Sequence, residues 1–152
     1  MTTPEERIVE LGLTLPEVVP PLAAYVPAAR SGNLVFTAGQ LPARDGAMLA
    51  TGKLGDAVSA EQGYECARQC AINALAAIKA EIGELSAIKR VVKAVVFVAS
   101  TPDFTGQPQV ANGASEFLGE VFGDAGKHSR SAVGVAALPL DVPVEVELVV
   151  EV

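Results

Sequence analysis

A chain of 152 residues with a formal net charge of −7, half of its residues apolar, has the length for one domain with a proper core. The acidic balance argues against a broad nucleic-acid footprint, which needs a basic face. No apolar run approaches the ~18 residues of a membrane helix, and the opening Met-Thr-Thr-Pro-Glu-Glu-Arg holds no signal core, so the expectation is a cytoplasmic protein with no membrane partner.

Thr3 can cap a short helix beginning at Pro4, with Glu6 completing a capping box and Gly12 ending it. The run 15–22 holds three prolines and reads as an extended connector, so that 1–22 form an N-terminal helix and connector to a single domain spanning 1–152. Tyr25 to Arg30 and Leu34 to Ala38 read as two strands paired in a hairpin about Ser31-Gly32-Asn33. Arg44-Asp45-Gly46-Ala47 is a further turn signal, and the chain to Gly55 reads as irregular.

Ser59, with Gln62 three residues on, opens the longest helix. Ala67, Cys70, Ala71, Ala74, Leu75, Ile78 and Ile82 keep its period up to Gly83. Cys66 and Cys70 fall on one face of that helix, a poor geometry for a disulfide. No further Cys or His pair completes a metal site, so both read as buried reduced thiols. Ile88 to Ser100 is apolar on both faces and reads as a central strand. Pro108 to Phe122 is a second long helix, with Val110, Ala114, Phe117, Leu118 and Val121 on one side. Two C-terminal strands follow, joined through Leu138-Pro139-Leu140-Asp141.

This order predicts an α+β fold with two main helices on one face of a mixed sheet. No further elements remain to cover the other face, and association of copies through it is the economical answer.

Arg130 enters the first C-terminal strand as a lone charge before the apolar run 132–139. A guanidinium there needs a carboxylate partner, from the protein or from a ligand. Glu145 lies on the expected neighbouring strand, so a standing ion pair with Glu145 or Glu147 competes with an open ligand site. Strand alternation puts Glu145, Glu147 and Glu151 on one face, opposite Val144, Val146 and Leu148. An exposed polar face accounts for Glu147 and Glu151. Lys93 reads as a carboxylate's partner before a Schiff-base amine. His128, the only histidine, has no second metal ligand and no triad order around it, and reads as a loop residue. Gly126-Lys127 lacks the spacing of a phosphate-binding loop.

Three ordered segments carry a resemblance. Asn33-Leu34-Val35-Phe36-Thr37-Ala38-Gly39-Gln40-Leu41-Pro42 resembles the N-terminal signature of the Rid family, the reactive intermediate deaminases, also called YjgF-like or L-PSP endoribonuclease-like. Val92 to Val98 resembles its central strand. Ser129-Arg130-Ser131-Ala132-Val133 through Leu138-Pro139, then Val144-Glu145-Val146-Glu147, resembles its C-terminal signature. The longer N-terminus and the Val110-Ala111-Asn112-Gly113-Ala114-Ser115 helix look like a particular branch.

The resemblance implies a chorismate-mutase-like fold, with a mixed six-stranded sheet and two main helices on one face. It implies a barrel-like homotrimer with three clefts between subunits. It implies hydrolysis of enamine and imine acids, such as 2-aminoacrylate, to 2-keto acids and ammonia, with no metal and no organic cofactor. Arg130 then matches the arginine that binds the substrate carboxylate, and Glu145 the acid proposed to hold the attacking water. Tyr25 matches a tyrosine lining the cleft, Asn112 falls near a helix asparagine that some relatives place there, and backbone at Ala38 and Gly39 lines the pocket. Two positions depart from the deaminase type: Ala38 stands where many relatives have serine, and Ala132 where many have cysteine. Both departures remove a polar contact and leave the carboxylate fork intact. Binding of small keto acids without turnover is therefore the alternative. Ribonuclease or translation-inhibitor action, suggested by older family names, is opposed by the acidic charge.

Overall fold

The computed structural model describes residues 2–18 and 24–152. Helix α1 spans Pro4–Glu10, and its capping box is formed: Glu6 N donates to Thr3 Oγ1 at 3.1 Å and Thr3 N to Glu6 Oε2 at 2.8 Å. The hairpin follows as β1 (Ala28–Ser31) and β2 (Leu34–Thr37), in antiparallel register Ala28↔Thr37. The first strand starts later than the Tyr25 expected, since Pro27 has no N–H to give a ladder. The connector expected over 15–22 falls partly outside the described residues.

The stretch expected to be irregular holds a small ribbon, β3 (Ala43–Arg44) with β4 (Ala47–Met48). Asp45 and Gly46 turn it, both at positive φ (53° and 81°), as a two-residue Asp-Gly loop requires. Helix α2 (Ala60–Ile82) is capped by Ser59 and Gln62 as expected and closed by Gly83. Strand β5 spans Arg90–Ala99, helix α3 Gln107–Phe122, strand β6 Ser129–Val135 and strand β7 Val144–Glu151.

The main sheet has five strands in the order β1-β2-β7-β5-β6, not the six expected, because β3 and β4 pair only with each other. It is mixed: β5 and β6 run parallel through the α3 crossover, and β7 runs antiparallel to β5 and β2. Strand β5 therefore separates β6 from β7. The expectation that Arg130 and Glu145 sit on adjoining strands is wrong: the crossover claims one side of β5, and the last strand completes the ladder on the other.

Helices α2 and α3 cover one face of the sheet. Cys66, Cys70, Ala74, Leu75 and Ile78 of α2 and Val110, Ala114, Phe117 and Leu118 of α3 are buried against Val35, Ala94, Val96, Val146 and Leu148. Both cysteines are free and buried as expected, and burial lifts the Cys66 thiol to about 11. The alanine-rich faces let the two helices approach closely. At Gly113 a Cβ would collide with the Tyr64 carbonyl, so glycine is required at that crossing. The opposite face carries Val95, Phe97, Glu145, Glu147, Val149 and Val133, with Phe36 and Val133 each 44% exposed.

Gly113→Ala should destabilise the protein by about 2 kcal/mol through overpacking, read by urea unfolding. Gly119→Ala on the same helix meets nothing within 4 Å and should gain a few tenths to about 1 kcal/mol. Equal effects at both positions would refute the close crossing.

Candidate functional site

Arg130 pairs in register with Ala94, which is fully buried beneath the helices, so the arginine projects to the helix side of the sheet. β6 is an edge strand, and α3 runs above it. Asn112 and Ser115 lie three residues apart on α3, a spacing that aims both side chains the same way. The guanidinium meets them: Nη1 donates to Asn112 Oδ1 at 2.8 Å and to Ser115 Oγ at 3.1 Å. Both hydrogens of Nη1 are thus used by neutral acceptors, and the Nε–Nη2 edge keeps its donors. No carboxylate of the described residues forms an ion pair with Arg130. The standing pair with Glu145 or Glu147 is absent.

His128 joins the same cluster. Its Nδ1 lies 2.6 Å from the Gly126 carbonyl and its Nε2 lies 2.9 Å from Ser115 Oγ. A small cavity of about 330 Å³ opens beside it, lined by Ser115, Gly119, Gly126, Lys127, His128 and Arg130. His128 lies in a loop, as expected, and beside this cavity, while Ser115 joins the residues that the sequence singles out. The available signals were the three-residue spacing from Asn112 and the two-residue spacing of His128 from Arg130.

The other expected site residues lie elsewhere in the chain. Glu145 pairs in register with Phe97 and faces the open side of the sheet beside Glu147. Burial, reinforced by the Glu147 charge, raises its pKa above the ordinary carboxylate value. Its carboxylate lies over Gly39, where a Cβ would collide with it, so those two residues are brought together. Ala38 precedes Gly39, and its N–H bonds the Pro27 carbonyl at 2.8 Å. Tyr25 is 60% exposed and precedes β1. With Gly39, Gln69 and Asn73 it lines a cavity of about 660 Å³ beside α2.

Ala132 sits on β6 two residues beyond Arg130, with its methyl on the same side. Lys93 is exposed on the open face and has no ion-pair partner among the described residues, contrary to expectation. Within one copy Arg130, Asn112, Ser115 and His128 are joined at the β6 edge, with Ala132 on the same side of that strand. Gly39 and Glu145 meet near β2 and β7, and Tyr25 lines a cavity with Gly39.

The family model described as "YjgF/chorismate_mutase-like, putative endoribonuclease" matches residues 5–152. The chain belongs to this YjgF/chorismate-mutase-like family. Protein TCP17 of Trypanosoma cruzi is 44% identical over 142 residues, which are 93% of this chain and 89% of that one. The crystal structure of Atu1372 from Agrobacterium tumefaciens, a protein of unknown function, superposes with a TM-score of 0.92 at 44% identity. That superposition covers 99% of this chain and 92% of the other. The structure of E. coli TdcF with bound serine gives a TM-score of 0.63 at 26% identity, over 90% of this chain and 92% of TdcF. The YjgF-like resemblance and the α+β fold both stand on these matches. No helix among the described residues is long and apolar enough to cross a membrane.

The raised Glu145 pKa has a consequence for stability. A carboxylate that holds its proton more tightly when folded contributes most at low pH, and that contribution falls as pH rises from the ordinary glutamate value of about 4.3 through the raised one. Glu145→Gln removes this loss. The melting temperature of the variant minus that of wild type should therefore grow between about pH 4 and pH 7. A difference that stays flat over that range would contradict the assignment.

Proposed function

We propose that the protein binds a small 2-imino or enamine acid through Arg130 and hydrolyses it to the 2-keto acid and ammonia. The observation that carries this reading is the guanidinium itself. It is part-buried and held by two neutral acceptors, has no carboxylate partner among the described residues, and keeps one donor edge unused by them. A planar fork of this kind suits a carboxylate bidentately. The serine bound in TdcF supports a small amino-acid-like ligand in a relative.

The hydrolysis needs a group that can hold water and exchange protons. We assign that part to Glu145, a carboxyl beside Gly39 whose pKa is raised by burial and by the Glu147 charge. An enamine first tautomerises to the imine. Water then adds to the imine carbon as one of its protons passes to the Glu145 carboxylate and from there to the nitrogen, giving a carbinolamine. Glu145 next takes the hydroxyl proton and hands it to the nitrogen, so that the C–N bond breaks, ammonia leaves and the carbonyl forms. Within one copy Glu145 stands two strands from β6, roughly 10 Å away, and faces the opposite side of the sheet. The reading therefore requires that a second copy supply the Glu145 half-site. A homotrimer in which the open face of one copy, with Glu145 and Phe36, meets the β6 edge of the next would do so.

A second reading, binding of keto acids without turnover, is favoured by Ala38 and Ala132, which offer methyl groups where a hydroxyl or thiol would hold water. RNA cleavage has less support, because the net charge of −7 opposes phosphate-backbone binding.

Stopped-flow decay of an imine released by an amino-acid oxidase tests the proposal. Wild-type protein should accelerate the decay. Arg130→Ala should lower kcat/KM about 100-fold or more, the cost of losing charged hydrogen bonds. Glu145→Gln should lower kcat about 100-fold, as for removal of a positioned acid–base group. Decay unchanged by wild type would sink the hydrolase reading, and calorimetric binding of pyruvate without turnover would establish the second.

A further inference from the structure

The cluster around Arg130 contains more chemistry than a carboxylate clamp needs. Its bonds run in one direction. The Gly126 carbonyl can only accept, so His128 Nδ1, 2.6 Å away, carries the proton. In the neutral ring that leaves Nε2 as an acceptor, and Ser115 Oγ, 2.9 Å away, donates its only hydrogen there. The Ser115 lone pairs are then turned to receive the Arg130 Nη1 hydrogen at 3.1 Å. With one lone pair already engaged by a guanidinium, Ser115 is a poor nucleophile, and the pair reads as a support.

Asn112 completes that support at 2.8 Å on the same nitrogen. Two acceptors on one Nη fix the plane of the guanidinium. They also decide which edge remains for a ligand. Without an acceptor at His128 Nε2, the Ser115 hydroxyl can rotate, and one of the two anchors is lost.

We propose that His128 is a positioning residue. Through Ser115 it holds the Arg130 guanidinium in the plane that presents the Nε–Nη2 edge to a substrate carboxylate. The proposal rests on the carboxylate reading of Arg130 and adds a specificity element to it. A ligand with a planar carboxylate uses that edge fully, whereas a ligand with a single acceptor oxygen gains little from the fixed plane.

Calorimetric titration of the full chain with pyruvate tests this. Ser115→Ala and His128→Leu should each weaken binding about 10-fold, as for loss of one hydrogen bond supporting a charged group. Because they act in one chain of contacts, the double variant should lose no more than either alone. His128→Gln keeps an acceptor near the Nε2 position and should bind within about threefold of wild type. Should His128→Leu fail to fold by urea unfolding, Ser115→Ala and His128→Gln still decide the matter.

Arg130→Ala separates the two claims. If it abolishes pyruvate binding while Ser115→Ala or His128→Leu binds like wild type, the positioning role is overturned and the carboxylate site stands. His128→Gln falling as far as His128→Leu, or losses that multiply in the double variant, would also overturn it. If Arg130→Ala binds like wild type, the carboxylate reading falls and takes this inference with it.

Discussion

The place of β5 between β6 and β7 governs the rest of the molecule. The crossover through α3 sets β6 parallel to β5, and the two pair directly. The last strand then pairs on the far side of β5, antiparallel. That arrangement sends the Arg130 side chain to the helix layer and the Glu145 side chain to the open face. No rotamer change in one copy reverses it, because side-chain direction along a strand is fixed by the pleat. If these two residues share a reaction, two copies must share a site.

The electrostatic character of the Arg130 cluster follows from its neighbours. A guanidinium shielded from water is costly unless its charge is met. Asn112 and Ser115 meet its hydrogen bonds but not its charge. The remaining charge is what an anionic ligand would neutralise, since no carboxylate of the described residues pairs with it. Glu145 shows the converse. Partial burial and a like charge at Glu147 disfavour its ionised form and raise its pKa above the ordinary carboxylate value.

Local features were legible in the sequence because their physics is local. Both capping boxes close within three residues, and the helix periods give the faces that pack on the sheet. The Asp45-Gly46 turn was legible for the same reason, while its flanking two-residue strands are too short to show a period. Strand order was not legible, and with it the relation of Arg130 to Glu145. Alternation tells which residues share a face of one strand, not which strands adjoin. Arg130 itself stood out as a charge in an apolar run, but its true partners did not. Ser115 and His128 meet only because α3 docks over β6, a contact between residues 13 apart in sequence that no pattern in either element encodes alone.

The most direct test of the account mixes two variants, each lacking one half-site: Arg130→Ala and Glu145→Gln. After unfolding and joint refolding, with mixed assemblies verified by native mass spectrometry, imine hydrolysis is measured. A site built from two copies predicts that two nearly inactive proteins regain activity together, with about one site in four intact in random closed assemblies. Mixed assemblies no more active than either parent would contradict the shared site.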